Sequence, residues 1–270
     1  MEEIKFKAAP FGERLCSMLS VDISRMLRTK LFYILLLIAL LIPIVMNVMM
    51  TMMDGTESID QATGEVVVMH GPENAWQSIG TLPGEGGGAM GGMDVMAMCN
   101  INMMFMAVAV FVCLFISEEF RSGYVKNLFA VRAEKSDYVV SKTVTGFIVG
   151  AALLVAYFIG AMLGGAVCSL SFDIGSLSGF NILMCMLSKI FLMLVFVSIF
   201  VAVSVAAKAK AWLAICASLG GGMLLFMTVS MITPLESTFI NLLLCLVGGV
   251  LFAIGLGALS NTVLKKTSLV

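Results

Sequence analysis

Six apolar runs, 31–53, 93–116, 139–170, 180–207, 212–232 and 239–259, each reach the roughly 20 residues that a helix needs to cross a bilayer. Inside hydrocarbon every backbone polar group must bond within the chain, which leaves a bundle of helices as the fold. Composition agrees: 60% of residues are hydrophobic and 12% are charged, whereas soluble domains carry about 25% charged residues. The expected class is all-α, a polytopic membrane protein with six transmembrane helices. Pro43 is expected to kink the first span. Gly160 and Gly164, four residues apart in the third, permit close helix contact.

Ahead of the first span, residues 11–28 read as an interfacial amphipathic helix. Phe11, Leu15, Met18, Leu19, Ile23 and Met26 share one side, and Arg14, Ser17, Ser24, Arg25 and Arg28 the other. Asp22 falls inside the apolar stripe. Either it pairs with a nearby Arg or reaches water, or it contacts the charged segment that follows the second span. Residues 1–30 hold six Lys or Arg but no apolar core of the length a cleavable leader needs. The first span is therefore expected to stay in the mature chain. The division is a 1–30 segment with the interfacial helix, then a 31–270 transmembrane domain with an outer loop at 54–92 and a charged segment at 117–138.

Charge fixes the expected topology. Of 16 Lys and Arg, only Lys189 falls deep within a span, and the other 15, with Lys142 at the very start of the third run, lie on one side of a six-span arrangement. The opposite loops hold the acids Asp54, Glu57, Asp60, Glu65, Glu73, Glu85, Asp173 and Glu236, with Asp94 at an outer edge. By the positive-inside rule the basic side is cytoplasmic, and so are both termini. The outer loop ends in GEGGGAMGG, a flexible composition, and its 64–70 stretch has strand character.

Several chemistries are excluded by what the spans lack. The chain has one His, His70, in the outer loop, and no carboxylate deep in any span, so an intramembrane hydrolase or proton-coupled carrier has no groups to work with. Seven Cys form no CxxC pair and read as small buried hydrophobes. No G-x-x-x-x-G-K-[ST] phosphate loop is present. The chain is expected to bind no cofactor or nucleic acid and to draw any energy from another subunit.

The densest internal charge lies in EEFRSGYVKNLFAVRAEKSDYVVSK, after the second span. Together with the interfacial helix and the six spans, it resembles a permease subunit of the exporter-type ABC transporters, the class that handles polysaccharides, drugs and lantibiotic or bacitracin-type antimicrobial peptides. Glu119, Phe120, Arg121, Gly123, Leu128, Ser136 and Lys142 fit that family's pattern, while Tyr124 stands for its usual Thr and Ala133 for its usual Pro. The resemblance implies a coupling helix over about 121–131, docked with the interfacial helix in a groove of a separate ATPase. Glu118, Glu119, Phe120, Arg121, Gly123, Tyr124, Leu128 and Lys142 are the expected coupling residues. Tyr124, Leu128 and Val131 recur at helical spacing beside Arg121, Lys126 and Arg132. The same charges also suit an ordinary solvated loop.

The resemblance further implies a second permease copy or a related permease, ATP and Mg on the ATPase, a bacterial plasma membrane, and an amphipathic or hydrophobic cargo. A membrane immunity or assembly protein that binds a peptide through its outer loop is the alternative. Candidate cargo-path residues are Asn47, Met50, Met96, Asn100, Asn102 and Lys189. The 23 Met crowd where span one leaves and span two enters, which suits packing, a greasy ligand or, with Cys99 and His70, Cu(I). Lys189 either meets an anionic group, such as cargo or Asp94, or snorkels to the outer surface.

Overall fold

The computed structural model describes residues 10–59, 66–68, 71–80, 100–130, 134–175 and 177–266. Helix α1 (Phe11–Arg28) meets α2 (Lys30–Met52) across one extended residue, Thr29. A small antiparallel hairpin pairs β1 (Glu57–Ile59) with β2 (Val66–Val68), and a 3-10 turn spans Ala75–Ser78. Then come α3 (Met103–Arg121), α4 (Tyr124–Ala130), α5 (Lys135–Val167), α6 (Gly179–Ala207), α7 (Ala211–Ile232) and α8 (Phe239–Lys266). Five of these, α2, α3, α5, α6 and α8, are long and apolar enough to cross a membrane. The 22 residues of α7, at 1.5 Å each, reach roughly 33 Å and match the same thickness.

Two spans start away from where the sequence reading put them. The second begins as a helix at Met103, not 93. Asn100 explains the delay: its Oδ1 accepts the Asn102 backbone N–H at 3.0 Å, a local bond that competes with helix. The Ile101 N–H meanwhile donates to the Ser78 carbonyl. The third starts early, at Lys135, and runs 33 residues without a break. The expected charged loop is therefore mostly helix, because 117–121 finish α3 and 135–142 open α5.

The interfacial helix turns its expected stripe inward, with Leu15, Leu19 and Ile23 half-buried beside its buried residues. Met18, Asp22 and Met26, spaced at i, i+4 and i+8, form its buried face, while Phe11 is exposed. That face lies on α5, whose Lys142 gives Asp22 a reason to turn inward.

Glycines on α5 set the packing. A Cβ on Gly146 or Gly150 would press into Val197 and Met193 of α6. One turn set further along, a Cβ on Gly160 would lie 2.1 Å from the Leu40 carbonyl oxygen and 2.8 Å from the Pro43 ring, and one on Gly164 would lie 2.9 Å from Ile44 Cα. The Gly160–Gly164 pair thus seats α5 directly on α2 around its proline, which is buried there. Without water to drive association, such backbone proximity supplies the dispersion contacts that hold membrane helices together.

The end opposite the Lys and Arg clusters is pinned by the 3-10 turn. Asn74 Nδ2 donates to the Asp173 carbonyl at 2.7 Å, and Trp76 Nε1 to the Phe172 carbonyl at 3.2 Å. Ala75 N–H donates to the Ser171 carbonyl at 3.0 Å. The glycine-rich GEGGGAMGG stretch lies outside the described residues, and so does His70.

Gly160→Ala is expected to lower the thermal midpoint in detergent, since overpacking costs about 1–3 kcal/mol. Gly255→Ala is the control, because a Cβ there meets nothing within 4 Å. Equal midpoints for the two variants would show that α2 and α5 do not pack through Gly160.

Candidate functional site

At the basic end, α3 stops at Arg121 and the chain turns through Gly123, whose φ is +75°. Glycine takes that left-handed conformation without steric cost, so the chain can reverse there into the seven-residue α4. Lys126 and Asn127 donate their backbone N–H groups to the Gly123 carbonyl and start the new helix.

Four charged side chains from three helices meet beneath this turn. Glu119 of α3 is fully buried. It accepts from Lys142 Nζ of α5 at 2.6 Å and from the Tyr138 hydroxyl at 2.8 Å, and it pairs with the Arg25 guanidinium of α1. Lys142 Nζ also reaches Asp22 of α1 at 2.5 Å, and the Ser141 hydroxyl donates to Asp22 at 2.6 Å. Two acids and two bases leave no net charge, and each buried carboxylate has more than one donor. Those are the conditions under which ions tolerate removal from water.

Aromatic rings close the cluster. Arg25 lies 4.5 Å from the Tyr124 ring centre, and Lys142 lies 4.8 Å from Phe115. Burial, then the Asp22 and Glu119 carboxylates, raises the Tyr124 phenol above its ordinary pKa, so it stays protonated at neutral pH. Arg14 adds a second tie, bonding Asp137 at 3.1 Å and Glu134 at 3.3 Å. Lys135 Nζ donates to the Leu264 carbonyl at 2.8 Å, which joins the end of α8 to the start of α5.

The eight residues expected to couple to an ATPase thus divide by position. Glu118 and Arg121 pair with each other on the exposed surface at 2.7 Å. Glu119 and Lys142 are inside the ion cluster, Phe120 is half-buried with its ring edge-on to Tyr138, and Gly123 forms the turn. Tyr124 lies under Arg25. The apolar edge of α4 is turned onto the chain's own core: Val125 is buried, Leu128 and Phe129 pack on that core, and Lys126, Asn127 and Ala130 face out. Val131, Arg132 and Ala133 lie outside the described residues.

Of the two readings of Asp22, contact to the charged segment is the one the structure shows. Sequence reasoning passed over Arg25, Tyr138 and Ser141. The available signal was the 138, 141, 142 spacing, which places three polar groups on one helical face at the start of a span.

A second polar group lies toward the opposite end. Lys189 of α6 is fully buried rather than snorkelling, because Asn102 Oδ1 at 2.8 Å and Thr233 Oγ1 at 2.9 Å accept from its Nζ inside the bundle. Asn47 is buried on α2 and accepts from the Ser78 hydroxyl at 2.9 Å. Asn100 forms the turn into α3, and Met50 is half-buried on α2. The structure therefore joins Asn102 to Lys189 and sets Asn47 against the 3-10 turn. Among the described methionines, Met49 and Met52 are exposed and Met104 is buried, so they share no single surface. Met96, Asp94 and Cys99 lie outside the described residues.

Residues 19–225, from the middle of α1 through most of α7, match the family described as ABC-2 family transporter protein. No curated protein and no solved structure matches the chain. The matched stretch contains the whole ion cluster, the α4 turn, four of the six long helices and most of a fifth. The chain belongs to the ABC-2 transporter family and is a multi-pass permease subunit of an ABC transporter.

Proposed function

We propose that this permease exports an amphipathic or hydrophobic cargo, an antimicrobial peptide, lantibiotic or lipid-like compound, from a bacterial cell, using ATP and Mg held by a separate ATPase. The supporting observation is the buried cluster of Asp22, Arg25, Glu119 and Lys142, which ties the interfacial helix to both helices flanking α4. The excess of Lys and Arg at this end supports a cytoplasmic position for it and for both termini. The outward side of α4, with Glu118 and Arg121 beside it, is the docking surface. Gly123 is its pivot. Leu128, Phe120 and Tyr124 press any displacement of α4 into the core, and Glu119 and Lys142 carry it to α1 and α5.

A second copy of this chain, or a related permease, completes the pathway. Asn47, Met50, Asn102 and Lys189 line the route on the outer half, with Asn100 shaping the turn beside it. Met96 belongs to the same candidate route by sequence position. The direction of transport rests on the likeness of the interfacial helix and charged segment to exporters.

Pull-down of the permease from its native membrane in mild detergent is expected to recover a Walker-motif ATPase whose activity depends on the permease. Replacing Gly123 and Leu128 together is expected to abolish that stimulation while the permease still inserts. Recovery without any ATPase would favour a non-transporting immunity or assembly role.

Lys142→Met leaves Asp22 and Glu119 with one base between them. Breaking a buried pair from one side costs about 3–5 kcal/mol, so a lower thermal midpoint and loss of ATPase stimulation are expected together. Stimulation that survives the destabilisation would remove the cluster from the coupling route.

Lys189→Met tests the cargo path. Hydrogen bonds to a charged group contribute about 1.5–3 kcal/mol, so export is expected to fall on the order of tenfold or more with ATPase association intact. Unchanged export would make Lys189 a packing residue.

A further inference from the structure

A cavity of about 360 Å³ opens where α1, α2 and α3 meet. Its polar rim is Arg25, Arg28 and Thr29, and its apolar wall is Leu31, Phe111, Leu114 and Phe115. Glu118 also lines it, but that carboxylate is already paired with Arg121. Arg25 gives one terminal nitrogen to Glu119, and Arg28 is exposed with no ion-pair partner among the described residues. The next residue after Thr29 is Lys30, the exposed first residue of α2. The rim thus carries Arg28, unpaired among the described residues, beside the partly engaged Arg25, with Lys30 close by in sequence.

Depth within the membrane follows from the helices that build the cavity. Helix α1 exposes Val21 and Leu27 off its buried face, as expected of a helix lying along a bilayer surface. Helix α2 leaves that surface through Thr29 and enters the hydrocarbon. Phe111 lies ten residues before the end of α3, roughly 15 Å along it. The cavity therefore has guanidinium groups at headgroup level and apolar side chains at acyl-chain level, and its Phe111 wall is backed by the Phe32 ring, edge-on at 6.4 Å.

We propose that this cavity binds one anionic phospholipid of the adjoining leaflet, with its phosphate headgroup between Arg25 and Arg28 and the upper part of an acyl chain along Leu31, Phe111 and Leu114. Guanidinium groups bind phosphate through paired N–H donors. A volume within the usual range of ligand pockets separates this site from a flat annular contact. A zwitterionic lipid brings a cation to the same rim and is disfavoured.

The full-length chain, purified in mild detergent, is exposed in turn to phosphatidylglycerol, phosphatidylcholine and inorganic phosphate and read by native mass spectrometry. One phosphatidylglycerol per chain is expected to be retained, at least about fivefold more strongly than phosphatidylcholine, the weight of about one basic residue at a membrane surface. Inorganic phosphate at equal concentration is expected not to displace it. Arg28→Gln, an exposed position that leaves the ion cluster whole, removes the preference for phosphatidylglycerol. Leu114→Trp, which fills the apolar wall, lowers retention as well. Lys210→Gln, on the basic turn between α6 and α7, changes neither. Equal retention of the two lipids, indifference to both cavity variants, an equal loss with Lys210→Gln, or displacement by inorganic phosphate alone would each overturn the assignment.

Discussion

Everything at the basic end depends on keeping two carboxylates and two cations neutral as a set while Asp22, Glu119 and Lys142 are shut away from water and only Arg25 is part-exposed. Asp22, Arg25, Glu119 and Lys142 come from α1, α3 and α5, so the charges are satisfied only when all three helices are in register. Apolar packing tolerates small slips, because any greasy surface will do. Ion pairs at 2.5 and 2.6 Å do not. The cluster therefore sets where the interfacial helix lies and how the turn at Gly123 is presented, and it makes displacement of one helix costly unless the others follow.

The membrane part is held by a different principle. Between α2 and α5, and between α5 and α6, the contacts are glycines against backbone or flexible side chains. Close approach replaces the hydrophobic effect, which has no purchase between helices already in lipid. The two modes divide the chain by depth. Directional charge pairing works where water is near, and dispersion between close backbones works where it is absent. Lys189 is the exception, a cation in the bundle whose described partners, Asn102 and Thr233, are neutral.

The spans were legible because apolar length alone dictates them, and the amphipathic first helix because its period is regular. Boundaries were less so. Asn100 delays α3 through a side-chain bond that hydropathy does not register, and a charged stretch looks like loop when its charges are in fact consumed inside helices. The composition of 117–121 and 135–142 is that of a surface, yet Glu119, Asp137 and Lys142 are buried. Glu119 and Lys142 pair with each other, and the further partners on α1 lie more than 90 residues away. Asp22 announced itself by breaking an apolar stripe. Arg25 did not, since a basic residue on a polar helical face is unremarkable. Leu128 was correctly seen as apolar at helical spacing, but spacing cannot say toward which side that edge turns.

Helix α5, 33 residues without a break, is roughly 50 Å long, well beyond the thickness of a hydrocarbon core. Its ion cluster at Lys142 and its glycine seat on α2 at Gly160 stand 18 residues apart on one rigid rod. Among the glycines of α5, Gly160 is where an added Cβ would come nearest a neighbour, so a tilt of the rod would turn about that point. Tilting the rod there by about 5° swings Lys142 through roughly 2 Å. In a lever of this length, a small push at the membrane surface would be matched by reversed movement of the opposite arm, beyond Gly164, at the far end of the bundle.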